Sequence, residues 1–177
     1  MTASPFTNPA AGATGAASAY TRALLEMLGA RDPLDVLGEQ VPWIEQRLAG
    51  VDDSAMSRPE APGKWSPLDV LRHLVDTEII HAYRIRSALE QDRAPIRGYD
   101  QDAWVRLFAV SVPSKAEALD LLRALRGANL RLWRSLDAVQ LERTMLHEER
   151  GPESVAHILR LLGGHDLVHR RQIERQL

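Results

Sequence analysis

Proline and glycine punctuation cuts this 177-residue chain into long segments of helical periodicity, and no series of period-two runs bounded by turn dipeptides interrupts them. The pattern restricts the chain to an all-α fold. A short amphipathic stretch, Tyr20 to Leu28, comes first. Asp32 and Pro33 then supply an N-cap and a first-turn proline for a helix to about Leu48, which Pro42 is placed to kink or split. Val51 to Lys64 reads as a loop. Ser66 and Pro67 open a second long helix reaching about Glu90, and Pro95 and Gly98 end it. One helical turn is expected over Asp102 to Phe108. Ser114, with Glu117 completing a capping box, starts a third helix to about Leu136, and a fourth runs from near Pro152 to the chain's end. Four such helices bury their apolar stripes by packing as a four-helix bundle. The expected layout is a flexible tail over residues 1–18 and one domain over 19–177.

Composition narrows the function. A formal charge of -2 gives no positive field for a phosphate backbone, so nucleic acid is not an expected partner. No run approaches the roughly 18 apolar residues of a membrane span, and Met1 to Ser18 lacks both the basic start and the apolar stretch of a signal peptide, so a cytoplasmic location is expected. With no cysteine, thiolate metal sites and a protein thiol nucleophile are excluded, and any metal must be held by His, Asp or Glu.

The last helix carries His165 and His169, four residues apart and hence about 40° apart on one helix face. Ile158, Leu161, Leu162 and Val168 share that face, so both imidazoles point to the core, where each needs a hydrogen bond or a metal. Six randomly scattered histidines give such a pair roughly one time in six, so satisfied core histidines are the competing reading. Asp166 is expected to point outward. A third ligand would come from His73, His81, His147 or His157. His157 lies off the face of His165, and His147 reads as a solvated loop residue. The second helix has its main apolar stripe on Leu71, Leu74, Val75, Ile79, Ala82, Ile85 and Leu89. His73 falls instead with Asp69, Asp76, Thr77, Ile80 and Arg84, a mixed face that is either solvent-exposed or lines a polar cavity. Asp69 and Asp76 could orient an imidazole or act as a general base. Trp65, Tyr99 and Trp104, in or beside loops, either wall a pocket or plug the bundle's end.

The stretch from Gly63 to Glu78, containing Trp65, His73 and Asp76, resembles the second helix of the DinB-like metal-binding bundle superfamily. The resemblance continues through Tyr83 to Arg86, Gly98 to Trp104 and Gly164 to His169, and is strongest toward the branch of metal-dependent hydrolases and bacillithiol S-transferases. It implies a bundle with crossed-over helix order, often dimeric, and a divalent ion, zinc or nickel foremost, on His73, His165 and His169. Glu78 stands where some relatives place a further histidine. Three neutral imidazoles leave a coordination position open, the arrangement of a catalytic site. The expectation is therefore a metal-dependent hydrolase or a transferase using a low-molecular-weight thiol, with Asp76 as base or orienting group, Arg84 touching substrate, and Trp65, Tyr99 and Trp104 walling the cosubstrate pocket. The rival is a non-enzymatic stress-response or interaction module, whose structural metal would be closed by a carboxylate such as Asp76 or Glu78.

Overall fold

The computed structural model describes residues 14–112 and 114–177, with side chains from Ser18 onward. Among them are eight helices: α1 (Thr14–Leu28), α2 (Pro33–Arg47), α3 (Asp53–Met56), α4 (Pro67–Glu90), α5 (Gln101–Ser111), α6 (Lys115–Arg134), α7 (Ala138–Glu142) and α8 (Val155–Gln176). The tail expected over residues 1–18 lies mostly outside the described residues, and α1 already begins at Thr14. Local chemistry fixes the long helices. Asp32 accepts hydrogen bonds from the Leu34 and Asp35 amides with Pro33 in the first turn, and Pro42 sits inside α2 without splitting it. Ser66 with Asp69 and Ser114 with Glu117 form capping boxes on α4 and α6.

Helices α2, α4, α6 and α8 make the bundle. α2 packs on α6 and α8, and α4 packs on the same two, so the connections from α2 to α4 and from α6 to α8 each cross the bundle. An up-and-down bundle would keep consecutive helices adjacent. The expected helical fold is observed, with three local differences, the first being that the loop expected over Val51 to Lys64 carries the one-turn helix α3, which Asp52 caps. The segment 101–111 forms three turns rather than one. A small sheet also appears, in which β1 (Ala94–Ile96) pairs parallel with β2 (Thr144–His147), and β2 pairs antiparallel with β3 (Gly151–Ser154). Strands of three and four residues that include Pro95 and Pro152 carry no readable alternation, and the β1–β2 pairing joins segments some fifty residues apart.

The core is two apolar clusters. One gathers Leu37, Ile85, Trp133, Ile158 and Leu162, the other Ile44, Leu71, Leu74, Leu122 and Ile173. Between them in sequence, every bundle helix places a buried polar residue: Gln40 on α2, Glu78 on α4, Arg126 and Asn129 on α6, Asp166 on α8. Arg126 binds Glu78 Oε1 at 2.8 Å, Asp166 Oδ2 at 2.6 Å and the Leu37 carbonyl at 2.7 Å, while Asn129 donates to Glu78 Oε2 at 2.9 Å. Glu78 and Asp166 thus share one guanidinium, which pairs with both without balancing both charges, and burial with the neighbouring Asp166 pushes the Glu78 carboxyl above its ordinary value despite Arg126. The outward placement expected for Asp166 is corrected: it is fully buried, because α1, α2 and α4 cover α8 on several sides.

Outside the bundle, α1 lies along α8. Gly163 and Gly164 permit this approach: a Cβ at Gly164 would stand 2.1 Å from the Leu24 carbonyl oxygen, and one at Gly163 would meet Leu28 and Pro33. No helix among the described residues is long and apolar enough to cross a membrane.

Candidate metal centre

α8 carries His165 and His169 one turn apart, and α4 brings His73 against them. His73 Nε2 lies 2.9 Å from His165 Nε2, which lies 3.1 Å from His169 Nε2. The side placed off-stripe by the helical wheel is in fact buried, His73 being 1% exposed. A wheel assumes one covered face, whereas α4 is packed by α5, α6 and α8. His81 is elsewhere engaged, its Nδ1 2.9 Å from the Thr77 carbonyl. His157 does not join the cluster. His147, expected in solvent, is buried in β2, with Nδ1 accepting the Glu149 amide at 3.2 Å.

The three Nε2 atoms converge, and hydrogen bonds among three neutral rings cannot satisfy all three of them at once. His169 Nδ1 donates to Gln172 Oε1 at 2.8 Å, which fixes the tautomer that leaves Nε2 free as a ligand atom. His73 Nδ1 and His165 Nδ1 are buried without partners. Burial pushes the His73 imidazole well below its ordinary value, helped by His169 and His165, and takes His165 and His169 down to about 3. The rings are therefore neutral, the state in which imidazole binds a cation. This convergence of three neutral nitrogen donors fits a divalent metal ion.

Around the cluster, Trp65 stacks on His73 with ring centroids 4.8 Å apart, and its Nε1–H donates to Asp102 Oδ1 at 2.8 Å. Thr77 Oγ1 donates to the His73 carbonyl at 2.8 Å. Asp76, one turn beyond His73, is fully buried with both carboxylate oxygens unpartnered, and desolvation pushes its carboxyl up to about 7. Asp69 instead caps α4 and pairs with Arg72. No carboxylate among the described residues joins the three histidines, and Glu78 is committed to Arg126 and Asn129.

Two cavities of about 460 Å³ flank the cluster. His165 opens onto the first, with Thr77, His81, Arg84 and Tyr99, while His169 and Trp65 line the second. Of the three aromatic residues expected as pocket walls, Trp65 and Tyr99 line a cavity. Trp104 packs on Tyr99, centroids 4.7 Å apart, and lines neither. Residue patterns gave no hint of α1's part: Tyr20, Thr21 and Leu24 form a wall of the first cavity. The Gly163 and Gly164 pair was the available signal, since adjacent glycines within a helix mark a close approach of backbone.

Comparison with known proteins places these features in a family. The sequence model of the DinB superfamily matches residues 44–173. Two relatives carry the name "Putative metal-dependent hydrolase": one from Oceanobacillus iheyensis is 29% identical over 110 residues, 60% of this chain and 63% of its own length. The other, YfiT from Bacillus subtilis, is 28% identical over 116 residues, 66% of this chain and 65% of its own. The chain thus spans less than two thirds of either relative. The solved structure of YfiT, described as having an unusual four-helix bundle topology, superposes with a TM-score of 0.72 at 26% identity, covering 81% of this chain and 84% of that one.

Proposed function

The chain belongs to the DinB superfamily, and from that premise we propose that it is a metal-dependent hydrolase whose divalent ion is held by His73, His165 and His169. The observation that carries the reading is the convergence of three neutral imidazoles beside a cavity with no protein carboxylate to complete the shell. A structural metal would be closed by a fourth protein ligand, and Glu78, one of the two candidates for that place, is held by Arg126 and Asn129.

A divalent cation held by the three histidines would supply Lewis acidity, lowering the pKa of a bound water or thiol and polarising an electrophile. The chain's own residues do the rest. Gln172 holds the His169 ring in its ligating tautomer, and Trp65 packs the His73 ring in place. Asp76, buried one turn beyond His73 with its carboxyl near 7, is the chain's own candidate for holding a proton at neutral pH. Use of a low-molecular-weight thiol in place of water is the finer form of this reading. It is favoured by the absence of cysteine, since a sulfur nucleophile would have to arrive with a cosubstrate.

Elemental analysis of the purified chain, beside His165→Ala and His169→Ala, is the test. About one zinc or nickel per chain is expected, lost in both variants together with turnover of ester, amide or thiol-acceptor substrates. Turnover retained in His165→Ala overturns the assignment.

A further inference from the structure

Among the described residues three arginines are buried, and two of them are paired: Arg72 with Asp69, and Arg126 with Glu78 and Asp166. Arg84 is the third. It is 5% exposed, its Nη2 donates to the Arg97 carbonyl, and its guanidinium carbon stands 6.0 Å from the centre of the Tyr99 ring. Among the described residues no carboxylate makes an ion pair with it. A guanidinium stays protonated in proteins, and burying it without a counter-charge is costly unless a ligand supplies one.

Its place in the fold says which ligand. His73, Thr77, His81 and Arg84 follow one another at helical spacing along α4, and the last three line the same cavity as His165. Eleven residues separate His73 from Arg84, a rise of about 16 Å along the helix. The cavity's apolar lining comes from Leu24 on α1 and from Ile158, Leu161 and Leu162 on α8. Arg150, also on the cavity, is not available: Glu153 binds it through both oxygens at 2.7 and 2.8 Å. Four acids line the cavity and none is in ion-pair contact with Arg84: Glu148 is exposed and accepts the Gly98 amide at 2.9 Å, Glu149 is half-buried, Asp100 caps α5 through the Ala103 amide and Asp102 accepts the Trp65 indole. Glu148 and Glu153 act on the guanidinium only at longer range.

We propose that Arg84 anchors an anion subsite in this cavity, about three helical turns along α4 from His73, selecting substrates that carry a carboxylate on an apolar body. The direction of the substrate, with its reacting end toward His165, rests on the function proposed above; the anion subsite does not. A carboxylate matches the planar guanidinium fork and would bind in two parallel hydrogen bonds.

The probe is octanoate against octanamide, its uncharged near-isostere, titrated calorimetrically into the full-length protein as purified and again after chelation of bound metal. In both preparations octanoate should bind at least about tenfold tighter than octanamide, as expected for a charge-assisted pair. Arg84→Gln should abolish the preference with metal content unchanged, and Arg84→Lys, which keeps charge but not the fork, should retain part of it. Equal binding of acid and amide to the wild type, no binding of either, or a preference that survives Arg84→Gln overturns the proposal. Should Arg84→Gln fail to fold, the wild-type comparison and Arg84→Lys decide. A preference confined to the metal-loaded protein assigns the carboxylate to the ion and also overturns it. Absence of metal with the preference intact would sink the metal reading and leave this one standing.

Discussion

Asp76 is the most exposed to test of the single residues, because it is buried with neither oxygen partnered. Its carboxyl is held up at about 7 against an ordinary 3.8. Between those values the folded chain keeps a proton that the unfolded chain has lost, so the stability this group provides is present in acid and is lost as the pH rises through about 7. Asp76→Asn should therefore melt higher than wild type at pH 8 in metal-free protein, with the gap closing by pH 5, while turnover falls; thermal melts across pH check it. His147 has the opposite sign. Burial lowers it from 6.5 to about 4, so the stability it contributes is present above 6.5 and is lost as the pH falls toward 4. His147→Asn, which can still accept the Glu149 amide, should flatten that part of a denaturation-midpoint profile. At this scale the sequence was partly legible. Four-residue spacing on an apolar face was enough to pair His165 with His169. His73 was not reachable from its helical wheel and came from resemblance, because a residue surrounded by three helices has no solvent side for periodicity to reveal.

Helices announce themselves through their caps, and the caps of α2, α4 and α6 were readable residue by residue. The sheet was not, since its order comes from pairing between distant segments rather than from alternation within any of them. The contact of α1 with α8 depends on the missing side chains of Gly163 and, above all, Gly164. Gly164→Ala would drive a Cβ into the Leu24 carbonyl, an atom of backbone that cannot swing aside. A loss of about 1 to 3 kcal/mol is expected, as for overpacked cores, measurable by urea denaturation. The same substitution should alter ligand binding in the first cavity, because Tyr20 and Leu24 move with the helix.

The whole molecule is held by a polar layer set between two apolar clusters, to which each of the four bundle helices contributes. Arg126→Met would leave Glu78 and Asp166 as buried carboxylates without their cation, and about 3 to 5 kcal/mol of stability should be lost, read from equilibrium denaturation. The four long helices and the bundle class were legible because each stripe demanded a partner; the crossing of α2 to α4 and of α6 to α8 came from resemblance alone, since loop residues say little about which neighbour a helix chooses. A metal bound between α4 and α8 would tie two elements far apart in sequence, and chelation should lower the melting temperature of wild type but not of His169→Ala. The seat of α1 has one more consequence. The histidines lie within residues 44–173, the stretch the superfamily shares, whereas Tyr20, Thr21 and Leu24 stand before it. One wall of the cavity is thereby written outside the shared stretch, so two members could keep the same histidines and the same Arg84 and still differ, through an N-terminal helix, in the shape of what the cavity admits.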